Sequence, residues 1–285
     1  MQLSAWFPLY RNHNSRNTIA QEAYRWSTTI NSTRTIMDIR YSLLPYTYTL
    51  FHQANTVGQT VLRALAWEFP NDETLKAVET QFMSGPAILV TPVLAPLATT
   101  VQGVFPGLAE GTRWYDWYTL AEVQAKSGEN KTLDAPIVHQ PVHVRGGYVI
   151  PIQKAGNSTK TSRQCPWSLL VALDCQGNAQ GDLFLDDGIS QVVNATKSVH
   201  FSFADNTLTS TVKGIYEDGL PLANITIAGI GYRPSSVDVS SGGVAQNAGD
   251  VKLMYIDCGA LVITGLNKAT AGGVWKKDLK IVLKK

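Results

Sequence analysis

The residues best suited to chemistry stand together near the start of the chain, in Arg11-Asn12-His13-Asn14. An apolar, aromatic run from Trp6 to Tyr10 ends abruptly at these four polar residues. A buried strand that delivers polar side chains to the rim of a barrel has this pattern. A neutral imidazole both donates and accepts hydrogen bonds, so His13 is the first candidate for contact with a hydroxyl-bearing ligand, the alternative being a loop histidine bonded to backbone. Arg11 is the second candidate, as a ligand contact or as the partner of a carboxylate that orders the rim.

Three other polar groups favour structural roles. The run Asp186-Asp187-Gly188 suggests a carboxylate pair or a calcium loop, but Asp-Gly between strands is a hairpin signal and the full calcium-loop pattern is absent. Asp116 lies among aromatic residues and favours a packed strand end over an aromatic ligand platform. Arg145 precedes two glycines without the spacing of a phosphate loop, which favours a turn with a structural arginine. No His or Cys spacing predicts a metal site, and no motif calls for a cofactor.

Charge and hydropathy exclude two classes of function. A net charge of +2 without any run of Lys or Arg gives no basic surface for nucleic acid. No charged residue lies between Glu79 and Glu110. Four prolines interrupt that segment, however, and an apolar run of the roughly 18 residues that a membrane span requires is missing. We therefore expect strands and turns there and no membrane span.

Five N-x-S/T sequons predict a glycosylated protein of the secretory pathway. The N-terminus has no basic segment followed by an apolar one, so we expect no signal peptide in this chain. A secretory parent explains both observations if Met1 is an internal methionine, and a cytosolic chain with coincidental sequons is the alternative. The candidate acceptors are Asn31, Asn130, Asn157, Asn194 and Asn224.

Three cysteines cannot all pair within one chain. Cys165 and Cys175 flank a strand-like run, and ten extended residues span about 33 Å, far more than the roughly 7 Å that a disulfide allows between Cα atoms. A bond between these two is therefore not expected unless the run folds back. Cys258 could pair with either of them.

Residues 1 to about 80 have the pattern of an α/β unit. The first strand is expected to end near Tyr10. Apolar residues at helical spacing predict a helix over 32–56, kinked at Pro45 and ended by Gly58. A buried strand over 60–69 and a short helix over 72–82 follow, and strand, helix, strand predicts a parallel βαβ unit.

After residue 85 the pattern becomes β-rich, with short strands at regular spacing between turn signals, which is typical of sandwich domains. The segment Val142–Pro151 predicts a strand, a glycine turn and a second strand. From residue 156 to the end nine further strand-like runs follow.

Six segments, in this order, resemble motifs of glycoside hydrolase family 31, the α-glucosidase family. The resemblance extends from residue 2 to about residue 230, and less clearly to the end. Six ordered matches are far more specific than any one motif. The segments are Arg11–Asn14, Asp38–Tyr48, Gln81–Ala87, Trp114–Thr119, His143–Gly147 and Gly181–Gly188.

The resemblance implies an α+β multidomain fold, with the last strands and helices of a (β/α)₈ barrel followed by two antiparallel β-sandwich domains. The implied domains are a C-terminal fragment of the catalytic barrel (1–84), a proximal sandwich (85–155) and a distal sandwich (156–285).

The resemblance also implies retaining hydrolysis of terminal α-linked glucose in oligosaccharides, with His13 in contact with the sugar at the cleavage point. Retaining chemistry requires two carboxyl groups about 5–5.5 Å apart. In the family both belong to barrel strands before the Arg-Asn-His-Asn motif, so neither is carried over, and the chain alone is expected to be inactive. Its implied partners are the α-glucoside oligosaccharide and the missing N-terminal barrel segment.

Three possibilities for function stay open at this stage. The chain is part of an α-glucosidase, or it is a non-catalytic carbohydrate-binding or structural β-sandwich module, or it is a truncated product without a role of its own. Within the family, specificity for α-xylosides is a further alternative.

Overall fold

The computed structural model describes all 285 residues, and most of its regular structure is strand. No helix combines the length and the apolar character that crossing a bilayer requires. Single 3₁₀ turns lie at Leu3–Trp6, Ala23–Arg25, Glu73–Ala77 and Val274–Lys276. The α-helices are α1 (Ser27–Ser42), α2 (Leu44–Val57), α3 (Leu65–Glu68) and α4 (Thr159–Ser162).

Eighteen strands follow one another along the chain. The first nine are β1 (Leu62–Arg63), β2 (Phe82–Ser84), β3 (Ile88–Val90), β4 (Thr100–Gly103), β5 (Trp114–Asp116), β6 (Lys131–Asp134), β7 (Val142–Arg145), β8 (Tyr148–Gln153) and β9 (Trp167–Ala172). The others are β10 (Ala179–Leu185), β11 (Lys197–Ala204), β12 (Thr207–Gly214), β13 (Leu222–Ala228), β14 (Ser236–Ser241), β15 (Val244–Ala245), β16 (Lys252–Ile256), β17 (Ala260–Thr264) and β18 (Leu279–Lys284).

The predicted long helix is present and breaks where a break was predicted. Leu43 separates α1 from α2, and Pro45 occupies the first turn of α2, where its missing N–H costs nothing. Gly58 ends α2 in the left-handed conformation, with φ 73°. The helical region begins five residues earlier than predicted, at Ser27.

The predicted first strand is wrong, because the carbonyls that a strand would pair find another donor. Beyond Trp6 the backbone is irregular as far as Glu22. The Arg40 guanidinium, reaching from α1, donates to the carbonyl of Phe7 at 2.7 Å and to that of Pro8 at 3.1 Å. Trp6 Nε1 donates to Gln140 Oε1 at 3.0 Å, which fixes the beginning of the segment against the β-rich part.

The predicted parallel βαβ unit is also wrong. Of the expected strand over 60–69 only β1 is paired as a strand, and α3 follows it after one residue. β1 pairs antiparallel with β2 rather than parallel with a strand near the N-terminus. The expected helix over 72–82 is one 3₁₀ turn, which Asp72 caps through the N–H of Thr74. A strand needs a neighbour, and the segment before α1 provides none.

The prediction of many short, mostly antiparallel strands after residue 85 is confirmed. One sheet has the order β1-β2-β3-β7-β5, and β4 pairs with β6 alone. A larger sheet of eleven strands has the order β15-β14-β18-β12-β11-β10-β8-β9-β13-β17-β16 and curls around the largest core. The glycine turn between β7 and β8 has Gly147 at φ 93°, as its sequence predicts.

The middle of the large sheet is buried on both faces. Along β8, Val149 belongs to the largest core, while Ile150 belongs to a second core. The second core also contains Ile36 of α1 and Leu50 of α2. The helices therefore pack on the sheet from outside, and this explains why β9 has an almost continuous apolar sequence rather than an alternating one. The strand β8 ends two residues before the predicted domain boundary at 155, and the three-domain division stays a prediction.

Candidate functional site

Residues 11–22 form a loop, here called the RNHN loop, that its two asparagines hold in shape. The Asn14 side chain donates to the carbonyl of Ile19 at 3.0 Å. The Asn12 side chain donates to the carbonyl of Gln21. These contacts close the loop on itself, as its composition suggests.

The two predicted contact residues project from this loop. His13 and Arg11 are exposed, and neither side chain makes a hydrogen bond or an ion pair within the chain. His13 is therefore not tied to backbone here, and Arg11 has no carboxylate partner in this chain. Both groups keep their full capacity to bind hydroxyl or carboxylate groups.

Arg40 fixes the position of the segment that leads into the loop, a role that motif spacing alone did not indicate. It donates to three backbone carbonyl oxygens of that segment, those of Ala5, Phe7 and Pro8. Its guanidinium carbon also lies 5.5 Å from the centre of the Tyr10 ring. Partial burial lowers the pKa of Arg40. One side chain thus replaces the strand partner that the segment lacks.

Residues 1–57 carry only two carboxylates. Glu22 pairs with Arg25 at 3.1 Å, and Asp38 makes no ion pair within the chain. The part of the chain that presents His13 and Arg11 therefore contains no close pair of free carboxyl groups.

Asp186 does more than form the predicted turn. Asp186 is 3% exposed, and its carboxylate accepts a hydrogen bond from the Tyr48 hydroxyl, with distances of 2.9 and 2.8 Å to its two oxygens. The N–H of Gly188 donates to the same carboxylate at 2.7 Å, and Arg163 donates to the Asp186 carbonyl at 2.5 Å. Burial, and then the bond to Asp186, raises the pKa of Tyr48 to about 12. We call the Tyr48–Asp186 contact the helix–sheet anchor.

Further contacts strengthen the helix–sheet anchor at the next residue of α2, Thr49, and one turn along the helix, at His52. The backbone N–H of Phe184 donates to Thr49 Oγ1 at 3.0 Å. The Phe184 ring stacks on His52 with centroids 3.6 Å apart and planes 3° from parallel. Thr49 and Phe184 are 135 positions apart in sequence, and no local sequence signal announces their contact.

Asp187 has the turn role that the sequence predicts. It accepts hydrogen bonds from the N–H groups of Ile189 and Ser190 at 3.0 and 2.9 Å, and from the Ser190 hydroxyl. The Ser190 hydroxyl and these N–H groups lower the pKa of Asp187 to about 2. All its bonds are local, so Asp187 shapes the turn rather than forming a catalytic pair with Asp186.

The other predicted structural residues occupy structural positions. Asp116 caps a turn by accepting from the N–H of Thr119 at 2.7 Å. Arg145 donates to Glu68 at 2.8 Å, and Arg63 binds the other oxygen of Glu68 at 2.8 Å. No group of three or more His, Cys, Asp or Glu side chains is arranged to hold a metal ion. All three cysteines are free thiols.

A cavity of about 520 Å³ lies between the N-terminal segment, α2 and the large sheet. Its lining mixes aromatic and charged side chains, among them Phe51, Arg163 and Asp218. The charged groups are already engaged: Asp218 accepts from Trp167 Nε1 at 2.6 Å, and Arg163 is bound to the Asp186 carbonyl. Asp218 and Arg163 are therefore not free to bind a ligand here, whereas Arg11 and His13 of the RNHN loop are unpaired.

A barrel-derived helical segment with a polar loop, followed by curled β-sheets, is the architecture at the end of a class of sugar-hydrolysing enzymes. Residues 1–50 match the TIM-barrel domain of glycosyl hydrolases family 31, and residues 58–150 match the C-terminal domain of the same family. The chain belongs to glycosyl hydrolase family 31 and represents its C-terminal portion. The barrel match confirms the predicted fold class, although the isolated segment does not form the barrel's parallel strands.

Relatives of known name cover nearly the whole chain. An α-glucosidase of Aspergillus niger is 51% identical over 98% of the chain, and the lysosomal α-glucosidase of Mus musculus is 40% identical over 83%. The chain spans 28% of the length of the first and 27% of the second. The solved glucosidase II α subunit with bound alpha3-Glc2 superposes with a TM-score of 0.83 at 25% identity, covering 99% of this chain and 32% of that one.

Proposed function

We propose that the chain is the C-terminal part of an α-glucosidase that hydrolyses terminal α-linked glucose from oligosaccharides with retention. The observation that carries this proposal is the RNHN loop, which presents His13 and Arg11 unpaired and exposed. The high identity to a protein named α-glucosidase over 98% of the chain supports it. In the whole protein, His13 binds a hydroxyl of the sugar at the cleavage point and Arg11 binds beside it.

The catalytic carboxylates of this proposed enzyme come from a preceding barrel segment. The exposed apolar side chains around the RNHN loop support such a partner: Ile19 is 82% exposed and Tyr24 72%. Trp26 is 48% exposed on the same stretch. Exposed apolar groups this close together mark a surface that another part of the protein covers. With the carboxylate pair missing, the isolated chain has no turnover.

The remaining proposals concern the location and glycosylation of the whole protein and the role of its sandwich domains. The whole protein travels the secretory pathway and carries N-linked glycans, which the five sequons support. Residues 85–155 and 156–285 serve as proximal and distal sandwiches that support the barrel, with carbohydrate binding in the barrel rather than in the sandwiches.

A chimera tests the proposal directly. This chain is joined to the part of the Aspergillus niger α-glucosidase that precedes the matching region, with that enzyme's own C-terminal part, joined in the same way, as the matched control. We expect the chimera to release glucose from maltose with the α-anomer appearing first by proton NMR, and the chain alone to release none. Activity of the chain alone would overturn the proposal, and so would a chimera that folds with one thermal transition but stays inactive. Maltose binding by the chain alone, together with an inactive chimera, would favour the carbohydrate-binding module instead.

A further inference from the structure

The five sequons differ in their surroundings. Asn130, Asn157 and Asn194 are exposed on irregular backbone between elements, and none of their side-chain amides is hydrogen-bonded within the chain. Asn31 is exposed on α1, close to the surface that we assign to the preceding barrel segment. A glycan is bulky and must project into solvent, so these positions are not equivalent as acceptors.

Asn224 has the least suitable position. It lies on β13, which is paired with β9 on one side and with β17 on the other. Its neighbour Ile225 is fully buried in the largest core, so Asn224 points to the opposite face, which it shares with Ala228. Ala228 is 0% exposed and belongs to the second core, beneath the helices. Asn224 is itself half-buried on this face, so a sugar on it would crowd the neighbouring strands β9 and β17.

Asn194 stands out for a second reason, the apolar loop tip that precedes it. Ile189 is 90% exposed, Val192 is 75% exposed and Val193 is 41% exposed. The hydrogen bonds of Asp187 to Ser190 hold the base of this loop, so the tip does not fold back to cover its apolar groups. Three exposed β-branched side chains within five residues favour aggregation between copies of a soluble protein.

We infer that Asn194 carries an N-linked glycan that shields the apolar tip formed by Ile189, Val192 and Val193. The amide nitrogen of Asn194 displaces the pyrophosphate of a lipid-linked oligosaccharide at C1 of its first sugar. An N–C bond forms, the C–O bond to the pyrophosphate breaks with its electron pair, and the amide loses one proton. Thr196 supplies the hydroxyl that the sequon requires. This inference needs passage through the secretory pathway and is independent of glucosidase activity.

Site-resolved mass spectrometry tests the attachment. The full chain is secreted from yeast behind a tag that carries an efficient acceptor sequon, and peptides are analysed after enzymatic deglycosylation in H₂¹⁸O. We expect the Asn194 peptide to be mostly converted to labelled aspartate, with conversion lost in Thr196→Ala and kept in Thr196→Ser. The matched control Thr226→Ala removes the Asn224 sequon and should leave the glycan mass unchanged. An unmodified Asn194 peptide in protein whose tag is glycosylated would overturn the inference, as would a glycan on Asn224.

Shielding is tested separately in the same set of proteins. We expect Thr196→Ala to bind more of a hydrophobic dye and to give a larger fraction of oligomers than Thr132→Ala, which removes the sequon of Asn130 in a region without an apolar tip. Adding Val192→Ser to Thr196→Ala should restore the behaviour of the glycosylated chain. Equal dye binding and equal oligomer fractions in Thr196→Ala and Thr132→Ala would show that the glycan does not shield the tip.

Discussion

At His13 the effect of a substitution on substrate binding can be measured separately from its effect on folding. In the chimera, His13→Ala should lower kcat/KM. The loss of transition-state stabilisation should be about 2–4 kcal/mol, the scale for losing one positioned hydrogen-bonding group at a site from which water is excluded. The melting temperature should not change, because the exposed imidazole makes no hydrogen bond or ion pair within the chain. Steady-state kinetics and calorimetry on one preparation measure both quantities. Arg16→Ala, an exposed change on the same loop, is the control. A clear loss of thermal stability with unchanged kcat/KM would remove His13 from the site.

His143 makes stability depend on pH in the acidic range. It lies on β7 at 4% exposure, its Nδ1 has no hydrogen-bond partner, and the Phe105 ring meets it edge-on at 4.7 Å. Burial lowers its pKa to about 4; the Asp116 carboxylate opposes this shift, and His139 adds to it.

The direction of this pH dependence follows from which state, folded or unfolded, binds the extra proton. Between the folded pKa and the unfolded value of about 6.5, the unfolded chain binds the extra proton, so stability falls as pH falls through this window. The free energy of unfolding should decrease by roughly 2–3 kcal/mol from pH 7 to pH 4 through this group, and His143→Phe should flatten that part of the profile. Urea titrations at several pH values measure this, with His13→Phe as control, because His13 is exposed and makes no hydrogen bond or ion pair within the chain. An identical slope in both variants would contradict the assignment.

At this scale the sequence indicates which residues are polar and close together, but not what they touch. The grouping of Arg11 and His13 could be predicted because the two are near neighbours in sequence, and the turn at Asp187 because its partners are local. The burial of Asp186 could not, since its partner Tyr48 lies 138 residues away and Asp-Asp-Gly looks the same at an exposed turn. The role of Arg40 depends on a segment that fails to become a strand.

Among the secondary-structure elements, the helix–sheet anchor joins α2 to β10. Tyr48→Phe removes one donor from the buried Asp186 carboxylate and should lower the free energy of unfolding by about 1–3 kcal/mol. Tyr41→Phe on α1 is the matched control, because the Tyr41 hydroxyl makes no hydrogen bond within the chain. Urea unfolding of the two variants measures the difference. Equal midpoints for both would show that the anchor does not contribute.

A buried ion-pair cluster ties β1 and α3 to β7. Glu68 is 13% exposed at its side chain and binds both Arg63 and Arg145, so Glu68→Gln leaves two guanidinium groups without their carboxylate. The cost should be about 3–5 kcal/mol, the range for breaking a buried pair. Glu73→Gln, which breaks the exposed pair with Lys76, should cost less than about 1 kcal/mol. Thermal unfolding compares them, and similar costs for both would contradict the argument.

The same cluster shows why some secondary-structure elements could be predicted from the sequence and others could not. The α1–α2 break could be predicted because Pro45 and Gly58 act locally. The apolar run over 60–69 was predicted as one strand, although Arg63 and Glu68 within it form a pair that is compatible with a turn into α3. Strand pairing partners are set by the rest of the fold, which a local pattern does not contain.

For the molecule as a whole, trypsin should distinguish the ordered part from the N-terminal segment. We expect the first cuts after Arg11, Arg16 and Arg25, which are exposed, and protection at Arg40, whose guanidinium is bound to three carbonyls. The large product should then start near α1 and keep residues 27–285 intact. Intact-mass analysis over time measures this order. Early cleavage between α2 and β8 would show that the helices do not pack stably on the sheet.

Strand β8 also has a consequence for how the protein loses its structure. The adjacent side chains of Val149 and Ile150 point to opposite faces and belong to two different cores. Neither core can therefore unfold without disturbing the packing of the other. A shift of one residue along β8 would exchange the two sets of side chains and spoil both interiors at once. The parts of the chain on either side of residue 150 should therefore melt together as one cooperative unit, whatever boundary separates them on the surface.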